Sequence, residues 1–298
     1  MENWREQRGA FWLLSLPGTF WLVAFFVVPL GLIWILSFGE KSGLVDIEIT
    51  GTLANYARVL DPVYLAIFWK TLWISVLATL LCLLIAYPIS FAICFSPPRL
   101  KPWLLMAVIL PFWINLLIRT YALIAVFRTR GYLNFTLEWL WDLAWLDRLI
   151  GPFQPLNMLY NDGAVIVGLV YVFMPFMVLP LYATIERLDR SFLEASLDLG
   201  ASQWQTFWRV TVPLTMPGIV TGLILVFIPT LGSFLTPDLL GGANAIMIGN
   251  VIERQFKAAN DWPFGSALSF LLMYATFGAL AIRAGLTARR ARRGRPTE

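Results

Sequence analysis

Residues 71–98 read TLWISVLATLLCLLIAYPISFAICFSPP, 28 consecutive positions without Asp, Glu, Lys or Arg. As a helix this run is about 42 Å long at about 1.5 Å per residue, more than the roughly 30 Å of a bilayer's hydrocarbon core. No water-facing surface accommodates such a stretch, so it is read as a membrane span. Working outward, residues 10–39, 163–185, 210–237 and 262–282 are equally free of charge. A further run covers 102–118, is interrupted by Arg119, and continues to 127. The expectation is an all-α, polytopic membrane protein with six transmembrane helices.

Composition agrees with that reading. Of 298 residues, 59% are hydrophobic and only 13% charged, with a mean hydropathy of +0.72. A soluble domain carries about 25% charged residues. There is no His, which excludes His-based general bases, His metal sites and His-driven pH switches. Cys82 and Cys94 are too few for a four-Cys zinc site. Twelve residues apart on a helix, they stand about 18 Å from one another, too far to bridge, so they read as buried free thiols. No Gly-rich phosphate loop, paired-carboxylate motif or metal-ligand cluster is present, so no catalytic residue and no metal site is assigned. The first run follows Arg5 and Arg8 but also Glu2 and Glu6. It is far longer than a signal-peptide core, which predicts a retained helix.

The placement of charge gives the orientation. With the N-terminus inside, 13 of the 22 basic and 7 of the 18 acidic residues fall on the cytoplasmic side, a net +6 against −2 outside. Basic residues stay cytoplasmic, so both termini are expected there. The Arg-rich tail reads as an orientation anchor on anionic lipid rather than as a nucleic-acid site.

The long segments 40–70 and 128–162 are then external. In the second, Leu137, Leu140, Trp141, Ala144 and Trp145 recur at helical spacing, an interfacial amphipathic helix with Glu138 and Asp142 on its polar face. That face is either simply solvated or a contact for an external partner or a cation. Ile248, Val251, Ile252, Phe256 and Ala259 form a second such pattern. Pro17, Pro29, Pro88, Pro111, Pro175, Pro180, Pro217 and Pro229 lie inside the spans, suggesting kinked helices around a cavity or a moving part. Arg119 has two readings. If the third helix stops near Ile118, it is an anchor at the outer interface; if the helix continues to Phe127, it lies in a pathway one turn from Asn115.

Residues 187–213 form a structured cytoplasmic loop. Glu194, Ala195, Ser196 and Leu197 suit a helix, Gly200 breaks it, a second helix runs through Gln203 to Arg209, and Pro213 opens the next span. This helix–Gly–helix elbow is suited to transmit force from a cytoplasmic partner, or is simply a connecting hairpin. Importer-type ABC permeases carry at this place the pattern EAA, three residues, G, nine residues, I, one residue, LP. The chain resembles them with Glu194-Ala195-Ser196, Gly200, Val210, Val212 and Pro213 at that spacing. It departs at Ser196, Val210 and Val212. The stretches LPFWINLLIRTYA (110–122), GYLN (131–134), FLTPDLLGG (234–242) and IGNVIERQF (248–256) are similar to the spermidine/putrescine-type members.

The resemblance implies a type I ABC importer permease fold. It divides the chain into an N-terminal helix and external loop (1–66), the permease domain (67–284) and a basic cytoplasmic tail (285–298). It implies that Glu194, Ala195, Leu199, Gly200, Ala201 and Pro213 form the loop that docks on an ATPase subunit. The implied partners are a homologous second permease, two ABC ATPase copies that bind the ATP and Mg, and an extracytoplasmic substrate-binding protein, in a bacterial cytoplasmic (inner) membrane. This chain itself would bind no cofactor and catalyse nothing. For a polyamine cargo, Trp113, Asn115, Tyr121, Phe234 and Asp238 are candidates for the path, since aromatic faces and carboxylates attract ammonium groups. Arg119, of the wrong charge, would with Glu138 and Asp142 anchor structure or dock the binding protein. Another small organic solute, a metal complex, or an ion-coupled secondary transporter remain alternatives. The last would be expected to show intramembrane acids and two related halves.

Overall fold

The computed structural model describes residues 8–43, 46–144 and 151–293. Arg5, Trp145 and Arg295 lie outside the described residues. The described residues are mostly helical, with a two-residue antiparallel ladder of β1 (Glu40–Lys41) and β2 (Ile47–Glu48). It forms two compact units, one of residues 66–250 and one of the segments 1–65 and 251–298.

In the unit made from the two ends, α1 (Arg8–Leu22) passes through a π-helical turn (Val23–Val27) into α2 (Val28–Leu36). None of residues 14–36 is buried, as expected for a helix solvated by lipid or by another subunit. A short α3 (Ala54–Val59) and the long α14 (Trp262–Arg293) complete this unit. Trp34 Nε1 donates to the Tyr274 hydroxyl at 2.7 Å. Arg58 pairs with Asp261 at 2.9 Å and lies 4.0 Å over the Phe264 ring.

The central unit is built on α4 (Pro62–Phe95), α5 (Lys101–Trp113), α6 (Leu116–Phe127), α7 (Tyr132–Leu143), α8 (Asp162–Ile185), α9 (Ser191–Asp198), α10 (Gln203–Thr206), α11 (Val212–Leu231) and α12 (Leu235–Gly241); α13 (Ile248–Lys257) starts at its end and belongs mostly to the unit made from the two ends. Val165, Leu169, Met177, Val178 and Leu181 of α8 are fully buried against Ile74, Ala78, Cys82 and Ala86 of α4 and Val226 of α11. Hydrophobic burial does not drive helices together inside lipid, so close packing and hydrogen bonds must. Both occur here. A Cβ at Gly218 would stand 2.8 Å from the Pro180 carbonyl oxygen, and one at Gly222 2.6 Å from Met177 Sδ, so α11 meets α8 through glycine. Cys82 Sγ, Ser90 Oγ and Cys94 Sγ of α4 donate to the carbonyls of Val170, Val178 and Tyr182 at 3.6, 3.2 and 3.7 Å. The constant offset of 88 residues shows that α4 and α8 run parallel in fixed register.

Among the described residues, four helical runs are long and apolar enough to cross a bilayer: 14–36, α4, α8 and the run 203–231. The pair formed by α5 and Leu116–Leu143 qualifies as a fifth, but it is bent by 97°. The third expected span is therefore broken. It ends at Trp113 rather than at Ile118 or Phe127, because Ile114 is extended (ψ 137°) and Asn115 caps a new helix. The expected stretch 210–237 also shifts. Its helix starts at Gln203, runs through a π-helical turn (Phe207–Thr211), and stops at Leu231, leaving Pro237 in α12. The Arg209 boundary expected between elbow and span is thus inside one continuous helical run.

The two π-helical turns share a cause. Each immediately precedes a helix with Pro in its first turn, Pro29 in α2 and Pro213 in α11. A proline ring clashes with the carbonyl four residues earlier and offers it no N–H. Those carbonyls belong to Phe25 and Arg209, both inside the widened turns, where the i→i+5 pattern makes room.

Candidate functional site: an elbow and a broken span

The elbow is built by local rules. Asp189 Oδ1 accepts from the Ser191 amide at 3.0 Å and starts α9. This bond holds the Asp189 carboxyl below its ordinary value of 3.8. A carboxylate so depressed contributes its full stabilisation above that ordinary value and loses it as the pH falls further. After Asp198 the chain turns at Gly200 with φ +85°, a left-handed conformation that closes helices and suits glycine. Ser202 then opens α10 through a reciprocal capping box with Gln205, at 3.3 and 3.1 Å. A hydrogen bond of 3.0 Å between the Ser196 and Thr206 hydroxyls ties the two arms.

What this scaffold presents is an exposed ridge. Glu194, Ala195, Leu199, Gly200 and Pro213 are all exposed, and Ala201 is half-buried. Leu199 is 89% exposed; an apolar side chain held out at the tip of a tight turn suits contact with another protein. On the other side, Leu193, Leu197, Trp204, Phe207, Phe91 and Phe95 line a cavity of about 680 Å³. The elbow's root is tied down by contacts that the sequence reading did not find. Lys101 Nζ bonds both carboxylate oxygens of Glu186, at 2.7 and 2.9 Å. The Arg190 guanidinium lies 4.9 Å over the Phe95 ring. The capping box was readable as Ser202-x-x-Gln205; the Lys101–Glu186 pair, 85 residues apart, had no local signal.

The candidate path residues fall on two neighbouring parts of the same unit. Trp113, 80% exposed, ends α5. Asn115 is the cap of α6, its Oδ1 accepting from the Leu117 amide at 2.8 Å. Tyr121 is exposed on α6. Phe234 and Asp238 stand at the start of α12, which packs on α6, and both are exposed. The elbow residues are not brought to this place. Glu138 and Asp142 are exposed on α7, which also packs on α6.

Arg119 lies one turn from Asn115 in a helix that runs on to Phe127, as the second reading of the sequence has it, although that helix is a new one beyond the break. It lies in the first part of α6, beyond the break, and only 6% of it is exposed. Its guanidinium carbon is 5.9 Å from the Phe112 ring centroid, and its Nε and Nη1 have no acceptor among the described residues. So buried a side chain does not suit an exposed docking contact or an interfacial anchor. The helix turns earlier than expected, and this carries Arg119 inward. Among the described residues no group of three or more His, Cys, Asp or Glu could hold a metal.

Comparison with known proteins places this architecture. Residues 49–287 match the family model described as binding-protein-dependent transport system inner membrane component. The spermidine/putrescine transport system permease protein PotB of Salmonella typhimurium (strain SL1344) is 45% identical over 252 residues, covering 85% of each chain. Its namesake in Escherichia coli (strain K12) is 44% identical over 252 residues, 85% of this chain and 88% of that one. A solved bacterial alginate ABC transporter, in complex with an alginate pentasaccharide-bound periplasmic protein, contains a chain of the same fold. The TM-score is 0.71 at 17% identity, covering 97% of this chain and 98% of that one. With its long apolar helices, its broken third span, its glycine-turned elbow and a match over most of its length, the chain belongs to the binding-protein-dependent transport system inner membrane components, the permeases of ABC importers.

Proposed function

We propose that this permease carries polyamines, spermidine and putrescine, and forms half of their path across the inner membrane. The observation that supports the mechanism is the elbow, a rigidly capped turn that exposes Leu199 beside Glu194 and Gly200. In this reading the ridge docks on an ABC ATPase subunit, which binds the ATP and Mg. Two ATPase copies, a homologous second permease and an extracytoplasmic binding protein complete the importer. The polyamine assignment is supported by relatives named for spermidine and putrescine at 44–45% identity over most of the chain. Exposed Trp113 and Tyr121 offer aromatic faces to an ammonium cargo, and Asp238 offers a carboxylate.

Six spans with both termini cytoplasmic fit the charge asymmetry, with the elbow on the cytoplasmic side. Residues 1–66 then precede a permease domain at 67–284, and 285–298 follow as a basic tail. Directionality comes from the partners. Nucleotide and loaded binding protein stabilise different access states, and a ligand shifts an equilibrium only by its differential affinity for those states.

The test is reconstitution of the chain with its ATPase, second permease and binding protein in proteoliposomes. ATP-dependent uptake of labelled spermidine, inhibited by putrescine and unaffected by neutral solutes, is the expected result. Uptake by the chain alone, driven by a proton gradient without ATP, would overturn the importer reading. Uptake of other solutes in preference to polyamines would overturn the cargo.

A further inference from the structure

The Lys101–Glu186 pair is placed against the local preferences of both helices that carry it. Lys101 is the first residue of α5, and Glu186 is the C-cap of α8. A helix N-terminus carries partial positive charge and a C-terminus partial negative charge, so each side chain has the unfavourable sign for its own helix. Each has the favourable sign for the other's. Leu100, the residue before α5, offers no side-chain cap. The pair is therefore not a by-product of helix optimisation; its rationale lies between the elements. Its geometry is tight, with both carboxylate oxygens on one ammonium at 2.7 and 2.9 Å, and the Lys101 side chain is only 17% exposed.

What the pair connects is equally specific. Glu186 begins the five-residue root of the elbow, which ends at Arg190 before α9 starts at Ser191. Arg190, stacked on Phe95, fixes the same root to the end of α4. Lys101 begins α5, which is only 13 residues long and ends at the break by Trp113. At about 1.5 Å per residue, some 20 Å of helix separate the elbow's root from the break. Phe112 meets Phe176 of α8 edge-on at 5.3 Å, so the far end of α5 is packed against α8.

We propose that Lys101 and Glu186 form a strut that carries displacement of the elbow along α5 into the broken span at Trp113–Asn115. They are positioning residues for coupling, additional to the ridge that meets the ATPase. This rests on the importer reading above. Without the strut, the ATPase still moves the elbow, but the break follows it poorly, so nucleotide is spent without transport.

The test uses the reconstituted importer, reading spermidine uptake and ATP hydrolysis on the same vesicles. Lys101→Glu and Glu186→Lys each lower uptake per ATP about fivefold, the lower end of usual coupling between sites. The double exchange restores it to within about twofold, as a paired interaction requires. Lys101→Arg keeps the ratio near native. If a charge reversal prevents assembly, Lys101→Gln, which creates no like-charge pair, still lowers the ratio about twofold. An unchanged ratio in the assembled single variants overturns the strut. So does an equal fall in uptake and hydrolysis, the mark of a purely structural role, or a double exchange that assembles without recovery. Absence of ATP-driven uptake by the native complex overturns the importer reading itself, and is seen before any variant is made.

Discussion

Gly200 and Leu199 are adjacent, and one makes the other useful. The φ of +85° at Gly200 turns the chain sharply enough to leave Leu199 almost wholly exposed. A β-branched residue at position 200 would bear backbone strain of about 1–3 kcal/mol, and the turn would open. Gly200→Val is therefore expected to cut ATP-driven uptake at least about tenfold while the chain remains inserted; native uptake would remove the elbow from the coupling mechanism. Arg119 makes the opposite kind of prediction. Its buried Nε and Nη1 lack acceptors among the described residues, and burying a charge without partners is costly. Arg119→Met, which fills similar volume without charge, should melt in detergent no lower than the native chain. A clear drop in melting temperature would show that the guanidinium finds a partner within the folded chain. Gly200 was legible from sequence as a helix break, because a lone Gly stands between two helical segments. The burial of Arg119 was not, because it depends on a break whose local signals, Pro111 and Asn115, also occur in unbroken helices.

At the scale of elements, the seam between α8 and α11 relies on Gly218 and Gly222, one helical turn apart. Lipid gives these helices no solvent-driven reason to associate, so contact distance decides. Gly218→Val should destabilise the folded chain by about 1–3 kcal/mol, measured as denaturant unfolding in micelles. Unchanged stability would mean that the helices can separate without loss. The π-helical turns belong to this scale as well. They let Pro29 and Pro213 begin helices without interrupting a span, so a proline that sequence reading takes as a boundary becomes part of a continuous run. This is why the apolar runs were easy to find and their ends were not. Hydropathy marks which residues lipid tolerates; the ends depend on carbonyl geometry at single prolines and on a cap such as Asn115.

For the whole molecule, the distribution of 13% charged residues carried most of the fold, since charges are kept out of the long apolar runs, with Arg119 the exception. It did not reveal the partners themselves. Lys101 and Glu186 are 85 residues apart, and nothing local in either stretch announces the other. The parallel α4–α8 seam has a consequence of a practical kind. Cys82 and Cys94 are 0% and 3% exposed, and both thiols are turned onto α8 carbonyls. A water-soluble maleimide should leave the folded chain unlabelled and add two labels after unfolding in detergent; labelling of the folded chain would mean that the seam opens. The native protein is thus silent to thiol chemistry as it stands. A cysteine introduced at Leu199 would report alone, and the swing of the elbow could be followed through a transport cycle against an empty background.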